Sequence, residues 1–290
     1  MVPISCAQEA DLLMMTKPFS GSAPEADEYR LFTLRNANDM LVTISEHGAA
    51  LCSWRAPDRY GRMADVLLEP ARPANPALWQ GRHDGSDVVL LQMGPGNAVA
   101  QMARYRLDDD GSLVVEHEVM AMAPVPFDVA LNPCFNLNGG VADVGDHMVQ
   151  IDADYYVEVD AVGTPVGVAA VGGTAFDFRQ PAPIGARLRW PDSQVRMKGG
   201  FDHCFFVRNH FSGGQGDLRE VARVYEPGSG RCLQIHTTET AVQFRASHKG
   251  GFWLEAKAHP ELTSAAWPQI IVLPGQVYRQ TTVYRLSLQI

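Results

Sequence analysis

From Tyr29 onward the chain is built from short runs of β-branched and aromatic residues between turn formers, and no apolar pattern of helical period persists. Such runs occupy residues 31–34, 41–44, 88–91, 113–119, 204–207 and 281–286, bounded by Asn, Asp and Gly. Asp108-Asp109-Asp110-Gly111 is a hairpin signal. The 26 glycines and 19 prolines supply the many turns that such a chain needs, and no internal repeat divides it. The pattern predicts an all-β protein, a large sandwich or open barrel, with a single domain over 29–290. Residues 1–28 read as a separate extension: a short helix over 1–16, then a flexible connector over 18–24 rich in Pro, Gly and Ser.

Composition removes several classes of function. The net charge is −9 and the basic residues are dispersed, which argues against a nucleic-acid partner. No apolar run approaches a membrane span, so no membrane association is expected, and no basic segment followed by an apolar block marks a secretory signal. The five cysteines, Cys6, Cys52, Cys134, Cys204 and Cys232, are odd in number and far apart. They point to reduced thiols in a cytoplasmic setting. No Gly-rich turn between a strand and a helix suggests a nucleotide, and the nine scattered histidines lack metal-ligand spacing, so neither cofactor nor metal is expected. A homodimer is left open.

The run Gly251-Phe252-Trp253-Leu254-Glu255-Ala256-Lys257 sets a carboxylate inside an otherwise apolar strand. Alternation puts Trp253, Glu255 and Lys257 on one face and Phe252, Leu254 and Ala256 on the other. Such a carboxylate is costly to bury unless it is paired, hydrogen-bonded or chemically used. The plainer alternative is an edge-strand Glu paired with Lys257 in solvent.

With the Leu273-Pro274-Gly275-Gln276-Val277-Tyr278 turn that follows it, this strand resembles the C-terminal signature of the aldose 1-epimerase (galactose mutarotase) family. Further stretches match in order. Glu46-His47-Gly48 through Asp58-Arg59-Tyr60-Gly61 and on to Leu68 looks like the opening hairpin. Phe135-Asn136-Leu137 is similar to the close of a His-x-Tyr-Phe-Asn-Leu motif. Gly173-Thr174 with Asp177-Phe178-Arg179, Phe201-Asp202-His203 and Ser229-Gly230-Arg231 resemble three later motifs. The resemblance covers residues 30–290 with one gap. It implies a large distorted two-sheet β-sandwich whose concave sheet holds a sugar, and a small-molecule sugar or sugar-like substrate.

Interconverting pyranose anomers requires a base for the C1 hydroxyl and an acid at the ring oxygen, each worth about 10² to 10⁴ in rate. By resemblance Glu255 is the base; burial beside Trp253 disfavours its charged form, and Lys257 favours it. Asp202 matches the residue that holds sugar hydroxyls, a task suited to a carboxylate's two acceptor oxygens. Strand alternation turns His203 away from Asp202, so His203 reads as a packed histidine. Two departures stand out. Asn132 occupies the place of the family's acid histidine, and an amide donates a hydrogen bond without delivering a proton. The segment between Leu68 and Met102 is short, and a Leu-His-Gly-Gly motif that supplies an Arg and a His is reduced to residues 79–85. There Arg82 and His83 either substitute, as a substrate-binding cation and an acid, or are ordinary loop residues. Trp253, Trp79 and Trp267 are candidate sugar platforms, with core packing the plainer reading of each. Cys134 lies beside the expected pocket without a basic neighbour in sequence to make it a nucleophile.

Three functions fit these features: an aldose 1-epimerase-like isomerase, the same scaffold recruited to another isomerisation or cyclisation, or a non-catalytic carbohydrate-binding protein. Glu255 within an intact local motif favours catalysis over recognition alone.

Overall fold

The computed structural model describes residues 29–69, 78–94, 96, 98–127, 131–208, 217–247, 250–258 and 271–289. The helix expected over 1–16, the 18–24 connector and Trp267 lie outside the described residues.

Two large sheets form a sandwich, and every strand pairing between neighbours is antiparallel. The nine-stranded sheet runs in spatial order Ala182–Pro183, Met148–Ile151, Arg219–Tyr225, Arg231–Thr237, Val277–Leu288, Ser112–Ala121, Val99–Leu107, Asp87–Met93 and Gln80–Asp84. The seven-stranded sheet runs Pro165–Ala170, Ala153–Val159, Phe201–Val207, Ala241–Ala246, Phe252–Lys257, Cys134–Phe135 and Leu67–Glu69. A four-stranded sheet, Leu31–Arg35, Leu41–Ser45, Leu51–Pro57 and Met63–Asp65, adds to this, as does the small pairing of Val125–Pro126 with Ile271–Val272. The expected all-β sandwich is therefore observed, with helix limited among the described residues to the short Ile184–Leu188 and Ser193–Lys198.

Alternation along the strands builds the core. Phe201, Phe205, Phe244, Phe252 and Leu254 of the seven-stranded sheet join Tyr105, Val115, Leu233, Ile235 and Tyr284 of the nine-stranded sheet in one buried cluster. Burying a side chain of this size removes about 1.5–3 kcal/mol of apolar exposure, which fixes the face each strand turns inward. The Asp108–Gly111 signal forms the hairpin between Val99–Leu107 and Ser112–Ala121. Gly111 has φ 82°, and a Cβ there would lie 2.3 Å from the Leu286 carbonyl oxygen, so only glycine fits.

One buried charge ties the parts together. Arg231 is 2% exposed, and its guanidinium donates to the carbonyls of Ala56 (3.1 Å), Pro57 (3.1 Å), Arg62 (3.2 Å) and Leu137 (2.8 Å). Burial lowers its pKa, but the carbonyls satisfy its donors. No helix among the described residues is long and apolar enough to cross a membrane.

Candidate active site

The face of the seven-stranded sheet turned away from the core carries a cluster of charges. Strand Phe252–Lys257 is interior, flanked by Ala241–Ala246 and Cys134–Phe135, so Glu255 is not an edge residue in solvent. Glu255 and Lys257 are each 2% exposed, and Lys257 Nζ lies 3.6 Å from Glu255 Oε2. The ion pair anticipated from sequence thus exists, but it is buried, where a charge survives only with partners.

Register supplies further partners. Gln243 stands opposite Glu255 and Arg245 opposite Trp253, while on the other side Arg245 stands opposite Asp202. These five side chains share one face. Arg245 Nη2 is 3.7 Å from Glu255 Oε2 and Arg245 Nε is 4.0 Å from Asp202 Oδ1, so one guanidinium spans both carboxylates. Its carbon sits 5.8 Å from the centre of the half-buried Trp253 ring, a cation–π geometry. Gln243 Nε2 donates to Asp202 Oδ1 at 2.8 Å, fixing that carboxylate. Among the described residues the cluster brings together two carboxylates, Glu255 and Asp202, and two cations, Arg245 and Lys257.

Asn132 enters from the segment before Cys134–Phe135. Its backbone N–H donates to Glu255 Oε1 at 3.4 Å, and its side-chain oxygen accepts from Arg245 Nη2. Its φ is 44°, in the left-handed region that Asn tolerates better than most residues. Asn132, Glu255, Asp202 and Trp253, four of the six residues singled out from sequence, are therefore brought together.

Arg82 and His83 come from the other large sheet. Both lie on Gln80–Asp84, the edge strand of the other sheet, not in a loop. The strand is held by Glu46, whose Oε1 accepts from the Gly81 N–H at 2.8 Å, and the exposed His83 ring packs edge-on against Phe32 at 5.5 Å. Trp79 is 8% exposed and belongs to the core, the plainer of its two readings.

His203 faces the core as alternation requires. Its Nδ1 accepts from the Asp202 N–H at 3.1 Å, which leaves Nε2–H to donate to Gln194 Oε1 at 3.1 Å. Burial pushes its pKa down to about 4, so the ring is neutral at physiological pH. Among the described residues no group of three or more His, Cys, Asp or Glu converges as a metal set.

Sequence reading missed Gln243 and Arg245. Alternation within Ala241–Ala246 puts the two on one face, but nothing local says which strand lies beside them.

The arrangement offers a buried carboxylate able to accept a proton, a second one fixed to accept hydrogen bonds, an aromatic face, and an amide in contact with Arg245 and Glu255. The aldose 1-epimerase family model matches residues 95–285. An aldose 1-epimerase of Escherichia coli (strain K12) is 28% identical, over 91% of this chain and 96% of its own length. A galactose mutarotase of Bos taurus is 35% identical over 62% of this chain and 55% of its own. In fold, the chain resembles the crystal structure of galactose 1-epimerase from Lactobacillus acidophilus NCFM, with a TM-score of 0.75 at 21% identity over 93% of this chain and 98% of that one. The chain belongs to the aldose 1-epimerase family.

Proposed function

We propose that the protein is an aldose 1-epimerase-like isomerase, acting on a free sugar or sugar-like hemiacetal by opening and reclosing its ring. The observation that carries this reading is Glu255, a buried carboxylate on the same sheet face as Asp202, both within 4.0 Å of one guanidinium. Arg245 and Lys257 stand 3.7 and 3.6 Å from Glu255 Oε2, opposite charges of the kind that favour a carboxylate over its acid. Glu255 takes the proton of the C1 hydroxyl as the C1–O5 bond opens, and delivers a proton to O1 when the ring recloses after rotation about C1–C2. Asp202, with one oxygen bound by Gln243, accepts hydrogen bonds from sugar hydroxyls. Trp253 offers an apolar face to the ring. The names of the E. coli and bovine relatives support the reaction class. No cofactor or metal is required by this chemistry. The four described cysteines are free thiols, in keeping with a cytoplasmic setting.

Glu255→Gln tests the reading, because the amide is nearly isosteric and is no base. Polarimetry on galactose and glucose is expected to show at least about a 100-fold loss of rate with the fold intact by circular dichroism. Unchanged turnover would refute the assignment. A second reading, recruitment of the scaffold to another isomerisation or cyclisation, is favoured by Asn132 standing where the resemblance expects an acid. It predicts a wild type inert towards both aldoses.

A further inference from the structure

Asn132 has lost the capacity to deliver a proton, yet its carboxamide is not placed at random. A guanidinium carries only donors, so the atom that meets Arg245 must be the Asn132 oxygen, whichever way round the amide is drawn. That contact commits Oδ1 and turns Nδ2 to the opposite side. Within the described residues the Nδ2 group makes no hydrogen bond, and it is not sealed from solvent. The cluster therefore presents an unused, solvent-reachable amide NH2 beside the buried carboxylate of Glu255. Arg245 is itself restrained by Trp253 beneath it and by Asp202 and Glu255 at its rim.

Resting on the ring-opening reading above, we infer that Arg245 is a positioning residue that locks Asn132 with its N–H end towards the substrate, so that a polarised amide takes the place of the acid. In the step so assigned, the C1–O5 bond breaks and its electron pair goes to O5. C1 and O1 become the carbonyl, and the O1 proton goes to Glu255. Asn132 Nδ2–H hydrogen-bonds the developing charge on O5, which takes its proton from water. The hydroxide so formed is neutralised by the proton held on Glu255, and reclosure on the other face of C1 reverses each transfer. The charged donor on its oxygen makes the amide N–H a stronger donor than a free carboxamide.

The test is a double-variant cycle read as kcat and KM. Asn132→Ala and Arg245→Gln are each expected to lower kcat by about 10- to 100-fold with KM changed less than about threefold, since a donor aimed at a developing charge acts mainly in the transition state. The double variant should fall well short of the product of the two single losses, any loss beyond Asn132→Ala reflecting the Arg245 contacts with Glu255 and Asp202, and Arg245→Lys, which keeps a charged donor there, should recover most of the loss. Multiplicative losses, or an unaffected kcat in Arg245→Gln, would overturn the inference while leaving the role of Glu255 to its own test. The side-chain amide signals of Asn132 in ¹⁵N–¹H spectra give a readout that needs no turnover. Arg245→Gln should shift them and Arg245→Lys should largely restore them. Signals indifferent to Arg245→Gln would also overturn the inference, even if no sugar tested is turned over.

Discussion

At position 132 the backbone stands at φ 44° directly before Pro133, a setting in which Asn and His are both better tolerated than most residues. Asn132→His is therefore expected to fold, and its effect on rate is set by its neighbours. An acid must carry a proton to give one, and Arg245 beside the introduced ring disfavours the protonated form. The single substitution is expected to fall short of the roughly 10² to 10⁴ of a positioned acid, and the double variant Asn132→His with Arg245→Gln to exceed it. Polarimetry on galactose separates the two, and equal rates would remove Arg245 from the account. His83→Ala is expected to leave turnover within about twofold, because its ring, on the edge strand of the nine-stranded sheet, packs against Phe32, whereas Glu255 and Asp202 stand on the seven-stranded one. A loss beyond tenfold would restore His83 as the acid. Glu255, Asp202 and Asn132 were legible because their motifs are local. Arg245 was not, because its meaning comes from strands that meet only in the fold.

Gly251 shows how an element positions the site. A Cβ there would lie 2.5 Å from Cys134 Sγ and 2.7 Å from the Phe135 carbonyl oxygen, so a hydrogen is all that fits between the strand entry and its short neighbour. This close approach lets Cys134–Phe135 pair with Phe252–Lys257 and brings the Asn132 N–H to Glu255. Gly251→Val is expected to cost about 1–3 kcal/mol in urea denaturation and to lower kcat together with stability. A variant of wild-type stability and activity would show that the short strand is not held by this contact. The strands themselves were legible from alternation and turn residues, and so was the sharing of one face by Trp253, Glu255 and Lys257. Their order was not. The sequence of strands across the seven-stranded sheet joins elements more than a hundred residues apart, and no local pattern encodes such pairing. Arg82 and His83 were read as loop or site residues for a related reason. Only the pairing with Asp87–Met93 shows that the segment is a strand.

For the whole molecule, three buried histidines link stability to pH. Burial lowers the pKa of His117, His147 and His203 to about 4, against an ordinary value of 6.5. Between those values the unfolded chain holds protons that the folded chain does not, so the free energy of unfolding rises with pH across this window and levels off above it. Each histidine contributes up to roughly 3 kcal/mol, fully present above 6.5 and lost as pH falls towards 4. The urea midpoint is expected to decline steadily over that range with proton uptake on unfolding, and less steeply in His117→Gln. A flat profile from 6.5 to 4 would contradict the buried, neutral assignment. The buried guanidinium of Arg231 bears on how such unfolding proceeds. Its four carbonyl partners come from the Leu51–Pro57 strand, the turn after it and the segment that follows Cys134–Phe135. To detach the four-stranded sheet alone would break the hydrogen bonds from Arg231 to Ala56, Pro57 and Arg62, so partial opening carries a cost at this one residue. Sheet and sandwich are thereby expected to melt together, a single transition seen alike by circular dichroism and tryptophan fluorescence, and two separated transitions would show that Arg231 does not join them.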